Sequence, residues 1–380
     1  MVISYRFMKI AVNGTYIQEQ ASGLGVVTNN LIDRLINSHS ELDFALYSHA
    51  NYLKERYPNN TISVTNSISP DRGFSGHIKR LLWYQTALKK HLKRQNAALF
   101  YSPANEGMLY PNIPQVVTVH DLIPLKYPKV SPKWRYYYLC VLPFILKNSQ
   151  KIISISQHTK KDLIETYKLP PESIEVVYNG FDRYLFFPQQ NLEIKKKYRL
   201  DKYLLYVGDM RFYKNLDRCL AAFERLPLKD YQFAITGKKD DFFYPQLKDK
   251  VEQLSAKDRI LFLDYVPTID LPGLYSMAQC LVFASLYEGF GLPILEAMAC
   301  GCPVITSKST SIPEVGGDSV FYVDPYDIDN IAKGMYRVLT KENLRRDLSD
   351  LGRERAKLFS WDKTAQGVKS VILQSGITAS

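Results

Sequence analysis

Short aliphatic runs alternate with helix-length stretches along this chain, and the alternation halts once, between Phe181 and Leu200, before starting again. KIAVN at Lys9 to Asn13, VVTVHD, KIISIS and IEVVYN precede the halt; YLLYVG, YQFAITG, RILFLDYV, CLVFAS and PVIT follow it. Each run is bounded by turn-forming or polar residues, as strands are. Runs apolar on both faces suit parallel strands covered by helices on either side. The halt, FDRYLFFPQQNLEIKKKYRL, is polar and charged, holds Pro188, and reads as a linker region. A length of 380 residues is ample for two domains. The expectation is an α/β chain of two doubly wound, Rossmann-like domains, residues 1–185 and 186–360, facing across a cleft. Sites in such domains lie at the carboxyl ends of the strands.

The segment CLVFASLYEGFGLPILEAMACGCPVIT, Cys280 to Thr306, is the richest in chemistry. A strand delivers the chain to Glu288. Gly289 and Gly291, on either side of Phe290, permit close backbone approach, and Leu292-Pro293 suits the first turn of a helix. Amides at such a helix start suit an anion such as a diphosphate. Glu288 falls in the loop and Glu296 just inside the helix, so the carboxylates can face different parts of one ligand. A plainer reading makes Glu288 a helix cap and Glu296 a surface residue; the flanking glycines disfavour it.

This segment resembles the glutamate, seven residues, glutamate signature of glycosyltransferase family 4 (group 1), with Gly-Phe-Gly-Leu-Pro between. The resemblance implies the GT-B fold, with a last helix, residues 361–380, crossing back onto the first domain. It implies that Glu288 contacts hydroxyls of a donor sugar and that Glu296 binds the ribose of the nucleotide. Carboxylates accept paired hydrogen bonds from vicinal hydroxyls, which agrees, and the amides between them can meet phosphate and sugar oxygens.

In YLLYVGDMRFYKNLDRCLAAF, Tyr203 to Phe223, a strand ends at Gly208, and Arg211 and Lys214 follow before a helix. Two cations at that turn suit a pyrophosphate, whose charge grows as the leaving group departs. An isolated Arg-x-x-Lys would read as an exposed basic turn. The turn is similar to the family's phosphate-binding turn, where Lys followed by Asn or Gly is usual. Asp209 stands where relatives often carry a basic residue. ASGLGVVTNNLIDRL, Ala21 to Leu35, places Gly23 and Gly25 before a helix and resembles the family's amino-terminal glycine loop. Val26-Val27 departs from the polar or basic residues usual there. VVTVHDLIPLKYP, Val116 to Pro128, sets His120-Asp121 after a buried strand. A lone histidine is more often structural; the resemblance places His120 against the donor sugar and the reacting carbon, with Asp121 orienting the loop. Tyr265 and Val266 stand where relatives hold the base through backbone groups.

The resemblance further implies retention of anomeric configuration and no metal or other cofactor. Substitution would be front-face, the departing phosphate helping to deprotonate the acceptor. The expected donor is UDP-glucose, with GDP-mannose next, and the expected acceptor a polysaccharide or lipid-linked oligosaccharide. The rival readings are a sugar-nucleotide epimerase, a phosphorylase, and a non-catalytic nucleotide-sugar-binding protein of the same fold.

A net charge of +11 and a pI near 9.1 favour an anionic partner. The segment His77 to Gln95 holds Lys79, Arg80, Lys89, Lys90, Lys93 and Arg94 without an acidic residue, and Ile78, Leu81, Leu82, Leu88 and Leu92 recur at helical spacing. It reads either as a helix covering the first sheet or as a face resting on an anionic membrane surface, which Lys133 to Tyr138 would extend. No nucleic-acid module is present, so nucleic acid is not an expected partner. Cys140, Cys219, Cys280, Cys300 and Cys302 lack metal-ligand spacing and are odd in number, which favours the cytoplasm. The stretch Tyr136 to Leu146 is too short to span a bilayer, so any membrane contact is expected to be peripheral, on the inner face of the plasma membrane.

Overall fold

The structure, a computed structural model, describes residues 8–17, 23–37, 42–263 and 265–377. It divides into two compact units, Met1–Gly180 with Trp361–Ser380, and Phe181–Ser360.

The first unit is built on seven parallel strands: β1 (Met8–Asn13), β2 (Leu42–Ser48), β3 (Thr61–Ser63), β4 (Leu99–Ser102), β5 (Gln115–Val119), β6 (Lys151–Ser154) and β7 (Ile174–Val176). Their order is β3-β2-β1-β4-β5-β6-β7. Ile10 pairs with Phe44 on one side and Leu99 on the other, and all three are buried. The chain steps outward from β1 to β3 and then returns to lay β4 against the free side of β1. Crossovers therefore leave in opposite directions at β1 and β4, and their carboxyl ends frame a crevice.

The second unit repeats the plan with β8 (Lys202–Val207), β9 (Tyr231–Thr236), β10 (Ile260–Phe262), β11 (Cys280–Phe283), β12 (Val304–Ser307) and β13 (Phe321–Val323), ordered β10-β9-β8-β11-β12-β13. Its direction reverses between β8 and β11. No linker occupies Phe181 to Leu200, contrary to the sequence expectation. Phe186 is buried with its ring 6.2 Å from Tyr275. Leu192–Tyr198 forms a helix capped by Asn191, and its buried Ile194 packs on Gly273. The run looked like a linker because Glu193, Lys196 and Lys197 cover that helix's exposed face.

The helix Trp361–Ile377 belongs to the first unit. Val368, Val371 and Ile372 are buried in one cluster with Ile10, Val12 and Leu46. The Thr364 hydroxyl donates to the Tyr178 carbonyl at 2.8 Å. Ile372→Ala should cost about 2–5 kcal/mol through the cavity it leaves. Denaturant melting should show the loss in the first unit's transition alone; an unchanged midpoint would mean the helix contributes little.

The helix Gly73–Trp83 runs through a π turn, Tyr84–Leu88, into Lys89–Arg94. Leu88 and Leu92 are buried, whereas Ile78 and Leu82 are exposed. Arg80 does not lie on a basic outer face: it is 1% exposed and bound to Glu106, so the expected cationic stripe loses that member. Among the described residues no helix is long and apolar enough to cross a membrane.

Candidate active site

The turn after β8 is made possible by two glycines meeting back to back. Gly208 donates its N–H to the Thr236 carbonyl at 3.0 Å, and a Cβ on Gly237 would lie 1.8 Å from the Gly208 carbonyl oxygen. The chain then turns through Phe212–Lys214 to Asn215, whose φ of +61° lies in the left-handed region that asparagine tolerates. Asn215 is fully buried and donates to the carbonyls of Ala284 (3.0 Å) and Pro325 (2.7 Å), which pins this turn to the end of β11. The result aims Lys214 at Glu288. Lys214 Nζ donates to both carboxylate oxygens, at 2.8 and 3.0 Å. Burial works against the ammonium charge, but Glu288 and Asp209 outweigh it and hold the Lys214 pKa above its ordinary range.

Glu288 is itself fixed by its backbone. Its N–H donates to Thr310 Oγ1 at 2.9 Å, and Ser311 Oγ donates to the carbonyls of Glu288 and Phe290 at 2.9 and 3.2 Å. The chain passes Gly289 and Phe290 to Gly291, whose φ of +109° opens the helix Leu292–Ala299 with Pro293 in its first turn. Glu296, on that helix, is half-buried and accepts from the Tyr275 hydroxyl at 3.0 Å. Burial pushes its pKa up to about 7, against a smaller opposing effect of the Tyr275 hydrogen bond.

Arg211 lies with its Nε 3.5 Å from Asp209 and 3.6 Å from Asp240. Burial opposes its charge and these carboxylates support it, leaving the guanidinium pKa raised. Among the described residues, Asp209 Oδ1 and Ser285 Oγ are buried without a hydrogen-bond partner. They sit just past β8 and β11, the two strands between which the sheet reverses. Tyr265 is 75% exposed and Val266 is buried, both in the loop after β10.

In the first unit, Gly23 (φ +52°) precedes the helix Leu24–Asn37, and its carbonyl accepts from Val27 N–H at 3.2 Å. Gly25 lies inside that helix's first turn and not in the loop, so the expected Gly-x-Gly turn reduces to Gly23. Ala21 and Ser22 of that segment lie outside the described residues. His120 follows β5. Its N–H donates to Asn105 Oδ1 at 2.9 Å, and its Nε2 meets the Pro103 carbonyl at 2.8 Å, which makes Nε2 the protonated nitrogen. Burial, only partly offset by that bond, pushes its pKa down to about 4, leaving Nδ1 as an acceptor at neutral pH. Asp121 Oδ1 accepts from Ile123 N–H at 2.9 Å.

The triplet Asp327-Ile328-Asp329 has the spacing of a cation-binding acidic pair. Its carboxylates are engaged otherwise: Asp327 accepts from Asn330 N–H at 3.0 Å as a helix cap, and Asp329 pairs with Arg225.

Two family models match the chain, Glycosyltransferase Family 4 over residues 21–184 and Glycosyl transferases group 1 over 189–355. O-antigen chain mannosyltransferase B of Escherichia coli is 31% identical over 377 residues, covering 93% of this chain and 97% of that one. The chain belongs to glycosyltransferase family 4. Sucrose-phosphate synthase from Thermosynechococcus elongatus superposes with a TM-score of 0.78 at 22% identity, covering 97% and 98% of the two chains. HepE of Anabaena in complex with UDP-glucose superposes at 0.75 with 18% identity, covering 97% and 100%. The fold of this family 4 glycosyltransferase is therefore GT-B.

The sequence reading of this glycosyltransferase did not find Thr310, Ser311, Tyr275 or Asp240. Asn215 was legible only through the family's pattern of a lysine followed by asparagine or glycine. Tyr275 sits 21 positions from Glu296 and carries no local signal.

Proposed function

We propose that this glycosyltransferase is a retaining hexosyltransferase that moves mannose from a nucleotide-activated donor to a glycan or lipid-linked oligosaccharide. The observation that carries the reading is the Lys214–Glu288 pair, 2.8 and 3.0 Å, on the unit that also holds Glu296. Glu288 keeps lone pairs for sugar hydroxyls while Lys214 and Arg211 offer cationic hydrogen bonds to the diphosphate. Backbone amides from Gly289 to Leu292 meet phosphate and sugar oxygens, Glu296 takes the ribose diol, and Gly208, Tyr265 and Val266 border the nucleotide. In the first unit Gly23 approaches the diphosphate, and His120 Nδ1 accepts from a donor-sugar hydroxyl. Developing leaving-group charge then falls on fixed cations and amides, so no metal ion is required.

A whole-length relative is a mannosyltransferase, which puts mannose ahead of the glucose favoured by commonness alone. The chain should turn over GDP-mannose at least tenfold faster than UDP-glucose in a donor-hydrolysis or transfer assay, and keep that rate in excess EDTA. A faster rate with UDP-glucose would overturn the choice of sugar, and loss of activity in EDTA the metal-free mechanism.

A further inference from the structure

The geometry points to a saccharide subsite on the first unit, formed by Phe74, His77 and Trp134, that holds a pyranose of the acceptor. It rests on the reading that the acceptor is a glycan.

The subsite is organised by Glu106, in the loop after β4 and 1% exposed. Glu106 accepts from Tyr16 Oη at 2.6 Å, Arg80 Nε at 2.5 Å and Nη2 at 2.7 Å, and Tyr84 Oη at 3.1 Å, and it meets His77 Nδ1 at 2.6 Å. His77, Arg80 and Tyr84 are spaced i, i+3, i+7, so one face of the helix is turned toward the acid. Burial alone would raise the Glu106 carboxyl; the Arg80 guanidinium outweighs it and holds the group well below the usual carboxylate range. An ionised carboxylate only accepts, so His77 Nδ1 carries a proton and, in the neutral ring, Nε2 is a bare acceptor.

That Nε2 is buried and has no hydrogen-bond partner among the described residues. A buried polar atom left so costs about 1–3 kcal/mol. Around it stand three rings, with centroids 4.3 Å (Trp134), 4.6 Å (Tyr137) and 5.9 Å (Phe74) from the imidazole. Phe74, in the first turn of its helix and 38% exposed, presents the most open of the three rings to a ligand. Apolar ring faces around one lone pair select a ligand with both a C–H face and hydroxyl donors. A hydrocarbon would leave Nε2 unmet, and a phosphate would offer the rings no C–H face; a pyranose, whose hydroxyls both donate and accept, satisfies both demands.

The position suits an acceptor sugar. The Pro103–Glu106 loop that holds His77 through Glu106 also holds His120, through the Pro103 carbonyl and Asn105 Oδ1. Tyr137, beside His77, donates its hydroxyl to the Asn105 carbonyl at 2.6 Å. One four-residue loop thus ties the subsite to His120.

The test titrates the full chain with the methyl glycosides of mannose, glucose, galactose and N-acetylglucosamine while following tryptophan emission. Trp134→Phe identifies the Trp134 contribution. At least one glycoside should change that emission saturably, and should bind at least tenfold more weakly to both His77→Phe and Phe74→Ala. Titration with GDP and UDP should be unchanged in these variants, and an unchanged melting transition of the first unit reports that it folds; Phe74→Ala, altering a partly exposed ring, serves if His77→Phe does not. No saturable response to any glycoside, or a response equal in wild type and variants, overturns the subsite. Glycoside binding without turnover of any nucleotide-sugar would sink the transferase reading and leave the subsite standing; turnover without glycoside binding would do the reverse.

Discussion

Lys214→Met is expected to lower transfer by about a hundred- to a thousand-fold, the scale set by removing one electrostatic contact to a developing oxyanion. The same change should cost about 3–5 kcal/mol of stability, because Glu288 would remain buried without its cation. Nζ lies 2.8 and 3.0 Å from the two carboxylate oxygens, and both side chains are largely shielded, at 12% and 8% exposed. Two roles are thus superimposed on one contact, and a second substitution separates them. Lys214→Met with Glu288→Gln removes the unpaired charge and should recover most of the melting temperature. It should recover none of the activity, since neither cation nor carboxylate is restored. Calorimetry and kcat/KM on the two variants give the answer. A double variant that regains activity along with stability would reduce the pair to a structural ion pair.

Glu296→Gln should have opposite effects on folding and on donor binding, both dependent on pH. The carboxyl is pushed up from an ordinary 4.5 to about 7 in the folded chain, chiefly by burial. The folded state then binds the proton more tightly than the unfolded state, so ionising the group in place is penalised. That penalty is absent below pH 4.5, grows between 4.5 and 7 and is complete above 7. At one pKa unit per 1.36 kcal/mol it amounts to about 3 kcal/mol. Glutamine is exempt, so the variant should melt above the wild type at pH 8 and level with it near pH 4.5. Binding runs the other way. A ribose diol donates to a carboxylate, so wild-type affinity for the intact donor should rise from pH 6 to 8, while the variant binds weakly and without that slope. Equal pH profiles for the two proteins would remove Glu296 from the ribose.

The loop from Glu288 to the helix at Leu292 could be read from sequence because glycines and a proline restrict its backbone almost by themselves. Lys214 was legible as a cation at a turn, yet its partner was not: Glu288 is 74 positions away, and only the reversal of strand order between β8 and β11 brings them together. Arg80 misled for a related reason. Its spacing matched the neighbouring lysines, and what takes it inside is an acid 26 positions later that no local pattern announces. Strands β2, β3, β4 and β13 went unseen because they are short or, like β2 with exposed Asp43, interrupted by a charge. The stretch Phe181 to Leu200 looked like a linker because a helix with one buried face, Leu192–Tyr198, looks polar when most of its residues face water.

The helix Trp361–Ile377 also sets an order of events during synthesis. A ribosome releases the chain from residue 1 onward, and domains ordinarily fold in that order. Here the first seven strands emerge while the side chains that complete their core, Val368, Val371 and Ile372, have not yet been translated. Phe181–Ser360 carries all of its own sheet and has no such wait. The half that appears second is therefore able to finish first, and a nascent chain stalled short of Val368 would leave Ile10, Val12 and Leu46 open to chaperones and proteases.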